Sequence, residues 1–358
     1  MIKKRENILI CPLNWGLGHA SRCIPLIRIL EKNNYKVYIA ASGDAYHFLK
    51  KTFPYLPVIW FEDYNTQYTK GKNLSTKIFF QTPKIFFKIF LEHLRLKKLI
   101  RDQGIDTVIS DNRFGLWNKK VRSVYITHQI HIKAPGEKSG LEKFLFRIHR
   151  FFINKYDICL IPDYPLGFKL AGDLSSDKGL TVNTKFIGIL SRFEAIENKK
   201  PVEFDLCVII SGPEPQRSIF EEIILEQLRK SSFSAIVVLG QPDENLHTII
   251  EERLHVYSCL SPDEMQDYIQ RSEIVLARSG YSTIMDLATL GKKAILIPTP
   301  GQTEQEYLAD YLSQKNIFYT ASQDNFTLET AFIKVKETTG ILLPNPNDQL
   351  EKLILETI

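Results

Sequence analysis

Residues 276–310, LARSGYSTIMDLATLGKKAILIPTPGQTEQEYLAD, constrain the fold more than any other stretch of the chain. The apolar run Ile274-Val275-Leu276-Ala277 predicts a buried strand that stops at Arg278-Ser279-Gly280. A helical pattern follows, with Ile284, Leu287, Ala288 and Leu290 on one face and Asp286 on another. Gly291 predicts the end of that helix. Ala294 to Ile297 reads as a second strand, which runs through Pro298 into a Gly/Thr-rich loop, and another helix opens at about Glu304. This order builds an open parallel sheet, and ligands bind such sheets outside the carboxyl ends of the strands. The helix starts at Ser282-Thr283 and Thr303-Glu304 would point free N–H groups into that crevice, which suits a diphosphate.

The same residues carry a resemblance. Ser279-Gly280-Tyr281-Ser282-Thr283-Ile284-Met285-Asp286 is similar to the Ser-Gly-x-x-(S/T)-x-x-(E/D) helix start of GT-B glycosyltransferases. Pro298-Thr299-Pro300-Gly301-Gln302-Thr303-Glu304-Gln305-Glu306 resembles the proline-rich loop with a glutamine pair that follows. Both motifs resemble the family of the lipid II-forming N-acetylglucosaminyltransferase (glycosyltransferase family 28). The resemblance implies that Asp286 holds the ribose hydroxyls of UDP and that Gln305, with Gly301 and Gln302, holds the sugar. It also places Ser279, Gly280, Ser282 and Thr283 on the donor. Asp stands where Glu is more usual, which shortens the reach by one methylene, and Glu306 stands where a second Gln is common.

A chain of 358 residues is expected to form two domains. Its net charge of +5 is too small to argue for a nucleic-acid partner, and no zinc finger, RNP-like aromatic set or Lys/Arg block is present. Cys11, Cys23, Cys159, Cys207 and Cys259 are isolated and odd in number, so neither a metal site nor a disulfide frame is expected, and a reducing cytoplasm fits. The basic head Lys3-Lys4-Arg5 precedes an apolar run too short for a signal peptide, and no run of about 20 apolar residues predicts a transmembrane helix.

Along the chain, Ile8 to Pro12 is the first predicted strand. Gly16 and Gly18 allow a sharp turn after it, and His19 opens the next helix in the crevice. Gly16-Leu17-Gly18-His19-Ala20-Ser21-Arg22 resembles the first loop of GT-B transferases, and also that of UDP-sugar hydrolases of pseudaminic acid synthesis. His19 is the candidate catalytic base; a helix-cap residue in an ordinary Rossmann-type turn is the plain alternative. The strand at Val108 to Ser110 leads into Asp111-Asn112-Arg113, where Asp111 either orients His19 or acts as base itself. Val124 to Thr127 leads into His128, which is either an acceptor-site group, with Gly16, Gly18 and Asn112, or a core histidine. Two stretches, residues 77–101 with Pro83 as a helix start and residues 138–155, interleave Phe with Lys and Arg. They read as core helices with a solvated face or as helices lying on anionic lipid.

Residues 193–204 are the expected linker between a first domain of residues 1–192 and a second of 205–345, with a C-terminal helix over 346–358. Leu206 to Ile210 opens the second domain. The resemblance implies that the loop after it, with Ser211 and Gly212, contacts the donor phosphates, and Arg217 reads as a charged fork for the diphosphate. The expectation for the whole is an α/β protein of GT-B fold, with two Rossmann-like domains facing across a cleft. The resemblance implies an inverting transferase that moves a hexose or N-acetylhexosamine from a UDP-sugar to a lipid-linked or glycan acceptor in envelope synthesis. It implies no cofactor and no metal, and a cytoplasmic place with peripheral contact at an anionic inner membrane face. A UDP-sugar hydrolase and a non-catalytic nucleotide-sugar-binding subunit are the other readings.

Overall fold

The computed structural model describes residues 6–64, 74–134, 139–195, 200–244, 246–343 and 347–358. The first half alternates β1 (Asn7–Pro12), α1 (Gly18–Lys32), β2 (Lys36–Ala41), α2 (Gly43–Thr52), β3 (Val58–Trp60), α3 (Leu74–Gln103), β4 (Thr107–Asp111), β5 (Arg122–Ile126), α4 (Ser139–Ile153), β6 (Ile158–Ile161) and β7 (Asn183–Phe186). The second half runs β8 (Phe204–Ile209), α5 (Gln216–Lys230), β9 (Ala235–Val238), β10 (His247–Ile250), β11 (Leu254–Tyr257), α6 (Pro262–Gln270), β12 (Ser272–Ala277), α7 (Tyr281–Leu290), β13 (Ala294–Leu296), α8 (Thr303–Gln314), β14 (Tyr319–Thr320), α9 (Leu328–Lys334) and α10 (Asn347–Leu355).

The first sheet is ordered β3-β2-β1-β4-β5-β6-β7 and every pairing in it is parallel. Helices cover both faces of such a sheet, so its central strands are buried on both sides: β4 is buried at all five positions, Thr107, Ser110 and Asp111 included. The second sheet is ordered β10-β11-β9-β8-β12-β13-β14, parallel except for the antiparallel edge strand β10. In each sheet the strand order reverses direction at one place, between β1 and β4 in the first and between β8 and β12 in the second. Crevices open at these points, outside the carboxyl ends of the strands. The loops after β1 and β4 therefore face those after β8 and β12.

The two halves are joined by α1 packing on α7, and by side-chain bonds that cross between them. Ser282 Oγ donates to the Gly18 carbonyl at 2.8 Å, Tyr281 Oη to that of Pro162 at 2.7 Å, and Thr303 Oγ1 to that of Lys133 at 2.9 Å. Helix α10 lies back on the first half. Leu350 and Ile354 are buried in its core, and Glu351 pairs with Lys32 at 2.7 Å. The expected linker residues 196–199 and Lys138 lie outside the described residues, and of 77–84 only the helical backbone is described. That helix begins at Leu74 and runs through Pro83 instead of starting there, because a proline removes one donor and flanking turns can carry a helix past it.

Candidate active site

Gly16 turns the chain after β1 with φ of +71°, a conformation that favours glycine. Gly18 serves a different end. It is the first residue of α1, and a Cβ there would lie 3.1 Å from Ser282 Oγ. Its role is close approach of the two halves, not the turn. His19 follows and lines the cleft, as do Gly16, Gly18, Asn112 and His128.

His19 Nδ1 lies 3.0 Å from Asp111 Oδ1. Asp111, at the end of β4, is fully buried and also receives Arg22 Nε at 2.6 Å and Arg22 Nη2. Burial alone would raise its pKa. The adjacent Arg22 guanidinium and His19 outweigh burial and hold the carboxyl well below the usual carboxylate range. A buried Asp111 held ionised in this way is placed to orient His19 through Oδ1. A ring proton on Nδ1, donated to Asp111, would leave His19 Nε2 as the basic nitrogen, the arrangement used by buried carboxylate–histidine pairs in acyl transfer.

Arg22 reaches further. Its Nη1 is 3.0 Å from His128 Nδ1, and His128 Nε2 is 3.0 Å from Glu304 Oε1, at the start of α8 in the other half. Burial pushes the His128 pKa down more than Glu304 raises it, so the ring is neutral. An arginine can only donate, so His128 Nδ1 accepts and Nε2–H donates to the carboxylate. The ring stacks on Tyr281 with centroids 4.0 Å apart.

On the donor side the cleft is lined by Ser211, Gly212, Gly280, Ser282, Thr283, Asp286, Gln302 and Gln305. Asp286 is neither an exposed helix acid nor free: its carboxylate accepts from Ser191 Oγ at 2.7 Å and Arg192 Nε at 3.2 Å. Burial raises its pKa against the opposing pull of Arg192 and Ser191. Gln305 Oε1 accepts from the Thr299 N–H at 2.8 Å. Gln302 Oε1 is buried with no hydrogen-bond partner among the described residues.

Three expected donor contacts are corrected. Arg217 does not line the cleft: its guanidinium binds Glu214 and, at 2.7 Å, Glu221, so two carboxylates already neutralise the expected fork. Ser279 is fully buried and its hydroxyl donates to the Gln305 carbonyl at 2.9 Å, which braces the loop from behind. Gly301 turns at φ of +79° and its N–H donates to Glu306 Oε1 at 2.8 Å, away from the cleft lining. Glu306 thus holds the loop. With Glu304 and Glu306 in its first turn, the N-terminus of α8 is already supplied with anions. At α5 the Glu214 carboxylate reaches the Ser218 N–H at 3.4 Å. Helix α7 has no acid in its first turn and no side-chain cap, so its N–H groups are open to an anion such as a diphosphate. Sequence reasoning named neither Glu304 nor Arg22 as site residues. Arg22 was visible as the last residue of the Gly16–Arg22 motif, one helical turn after His19. Among the described residues, no group of three or more His, Cys, Asp or Glu side chains is placed to hold a metal ion.

Residues 217–349 match the glycosyltransferase family 28 C-terminal domain. Over 322 residues the chain is 24% identical to an uncharacterized glycosyltransferase of Methanosarcina acetivorans, covering 86% of this chain and 81% of that protein. Over 177 residues it is 27% identical to the UDP-N-acetylglucosamine--N-acetylmuramyl-(pentapeptide) pyrophosphoryl-undecaprenol N-acetylglucosamine transferase of Rhodopseudomonas palustris, 44% of this chain and 46% of that one. The glycotransferase of kitacinnamycin has the same fold, with a TM-score of 0.62 at 13% identity over 99% of this chain and 95% of its own. The two sheets facing across a cleft, the helix α7 start and these similarities agree, and the chain is a GT-B glycosyltransferase that resembles the family of the lipid II-forming N-acetylglucosaminyltransferase.

Proposed function

We propose that the protein transfers a hexose or N-acetylhexosamine from a UDP-sugar, with inversion, to a lipid-linked or glycan acceptor of envelope synthesis, with His19 as general base. The observation that carries this reading is the His19–Asp111 pair, 3.0 Å apart, in the cleft that the start of α7 also lines. The acceptor hydroxyl gives its proton to His19 Nε2 as its oxygen attacks the anomeric carbon. The bond to the diphosphate breaks on the opposite face, and the leaving charge is held at the α7 N-terminus with Ser211, Gly212, Ser282 and Thr283, without a bound divalent ion. Asp286 takes the ribose hydroxyls. The unpartnered Gln302 Oε1 and the neighbouring Gln305 take the sugar, since a buried acceptor without a donor is costly unless a ligand supplies one.

The acceptor side supports an amphipathic molecule. Phe86, Phe87, Phe90 and Leu94 on α3, and Phe144 and Phe151 on α4, are exposed, and Lys155 lies over the Phe151 ring at 4.5 Å. No helix among the described residues is long and apolar enough to cross a membrane. The reading is therefore a catalytic cleft with an aromatic, basic surface on the acceptor half that rests on the anionic inner leaflet.

The test is a panel of UDP-, GDP- and CDP-sugars, first for thermal stabilisation, then for UDP release with and without lipid-linked acceptors. Release should be slow alone and rise strongly with acceptor. His19→Ala should lower the acceptor-dependent rate by roughly 10²–10⁴ while UDP affinity stays within a few fold. Fast acceptor-free release that His19→Ala abolishes would make the protein a hydrolase, and no effect on either rate would remove His19 from the mechanism.

A further inference from the structure

The base is not held by its own half alone. Glu304 Oε1, His128, Arg22, Asp111 and His19 form one unbroken series, with separations of 3.0 Å from Glu304 to His128, 3.0 Å from His128 to Arg22, 2.6 Å from Arg22 Nε to Asp111 and 3.0 Å from Asp111 to His19. Four of the five belong to the acceptor half; Glu304 stands on α8 of the donor half. The series contains an ambiguity that matters to catalysis. Arg22 Nη2 lies 2.9 Å from His19 Nδ1, as close as Asp111 Oδ1 is. If Nδ1 donates to Asp111, Nε2 is bare and basic. If Nδ1 instead accepts from Arg22 Nη2–H, the ring proton moves to Nε2 and the base is gone. The position of Arg22 decides between them.

The geometry points to Glu304 as a positioning residue that selects the basic tautomer of His19 through His128 and Arg22. A carboxylate only accepts, so Glu304 requires the proton of His128 on Nε2. That leaves His128 Nδ1 bare to receive Arg22 Nη1–H, which draws that end of the guanidinium toward His128. Nε and Nη2 then stay on the two oxygens of Asp111, and Asp111 Oδ1 remains the acceptor for His19 Nδ1–H. Stacking on Tyr281, also from the donor half, fixes the His128 ring plane. Without Glu304, His128 is free to turn Nδ1–H toward Arg22. Two donors then face each other, Arg22 shifts, and Nη2 settles on His19 Nδ1. The base is thus completed only by a residue that arrives from the half that binds the donor, so chemistry is tied to a closed cleft. This inference rests on the reading of His19 as the base.

The experiment reads the ring directly. The full-length ¹⁵N-labelled protein, without donor or acceptor, is examined by long-range ¹H–¹⁵N correlation of its eight histidines, with His19 assigned by the loss of its signals in His19→Ala. Wild type should show His19 protonated on Nδ1. Glu304→Ala should move it mainly to the Nε2–H form, Glu304→Gln should keep the wild-type form because its amide oxygen still accepts, and Tyr307→Phe, which removes another cross-domain bond (Asp173 N–H to Tyr307 Oη, 2.8 Å), should change nothing. His128→Ala removes the same arm from the other end and carries the same expectation should Glu304→Ala fail to fold. With an active UDP-sugar, Glu304→Ala should lower kcat roughly 10- to 100-fold with donor KM within about twofold. A wild-type Nε2–H ring, an unchanged His19 in Glu304→Ala, or a raised donor KM at unchanged kcat would each overturn the proposal. Because the tautomer is read without substrates, its outcome is independent of which donor, if any, the panel identifies.

Discussion

Asp286 is the residue at which the donor reading can be tested against its own structural role. Its carboxylate offers about four acceptor directions, and Ser191 Oγ, Arg192 Nε and the Arg192 backbone N–H take three. The one left is open to a ribose hydroxyl from a residue that lines the cleft. A hydrogen bond to a charged group contributes about 1.5–3 kcal/mol, so Asp286→Ala should weaken UDP by about 2 kcal/mol, roughly 30-fold in Kd. The same change also strips the carboxylate from Arg192, whose side chain is 11% exposed. Removing one partner of a buried pair typically costs about 3–5 kcal/mol of stability. Weaker UDP binding alone would therefore not separate a lost contact from a disturbed cleft. Two ligands do separate them. Calorimetry with UDP and with 2′,3′-dideoxy-UDP, well below the melting temperature, should show the loss for UDP and almost none for the dideoxy analogue. Equal weakening of both ligands would mean that Asp286 acts only through Ser191 and Arg192. Undiminished UDP binding would remove it from the donor site altogether.

Arg217→Ala should leave UDP affinity within about twofold, because Glu214 and Glu221 already neutralise the guanidinium, and a tenfold loss would return Arg217 to the diphosphate. His149 is buried, its Nδ1 3.1 Å from the Ile130 carbonyl, and burial pushes its pKa down to about 4. The unfolded chain takes up that proton first, near its ordinary pKa of about 6.5, so stability is fully present above that pH and falls by about 3 kcal/mol as pH drops toward 4. His149→Phe should flatten this part of a denaturation profile, and parallel wild-type and variant curves between pH 6.5 and 4 would refute the assignment. Binding to anionic vesicles should exceed binding to neutral ones and fall with salt, and Phe87→Ser with Phe90→Ser should reduce it; equal recovery with both vesicle types at low salt would reject the surface as a lipid contact.

Much of the fold was legible because the strands are buried on both faces and read as short apolar runs with polar exits. The Ile8, Val108, Val124, Leu206, Ile274 and Ala294 runs all became parallel strands. Helix α2 and strand β10 were missed. In residues 43–52 the apolar face is only Ala45, Phe48 and Leu49, too short a repeat to stand out among Asp, His and Lys, and β10 is an edge strand with exposed side chains. In the cleft, the positions legible from motifs (His19, Asp111, His128, Asp286, Gln305) do line or support the site. The motif could not show that Asp111 is shared between His19 and Arg22, because residues 19, 22 and 111 meet only through parallel pairing of β1 with β4.

The helix N-termini show why the rest was hidden. A sequence places a helix start well, and in the second half the starts at residues 216, 281 and 303 follow the loops after β8, β12 and β13. Whether a start can hold an anion depends on which side chains fold back onto it. Glu306 returns to the Gly301 N–H and Glu214 to the Ser218 N–H, each a short loop closing on itself, while Glu304 is drawn across the cleft to His128. The sequence shows all three acids but not their directions, since each could equally face water. Of these three, α7, with Gly280 before it and Ser282 and Thr283 in its first turn, has no acid in that turn or in the Arg278-Ser279-Gly280 loop before it. A dianionic leaving group therefore meets repulsion at two of the three ends and attraction at one. That single favourable end sits beside Gly18, directly against the loop that carries the base, since Ser282 Oγ donates to the Gly18 carbonyl. The bond between the halves and the start of α7 are thus one residue apart, so a diphosphate held there, as proposed, would lie against the loop that carries His19.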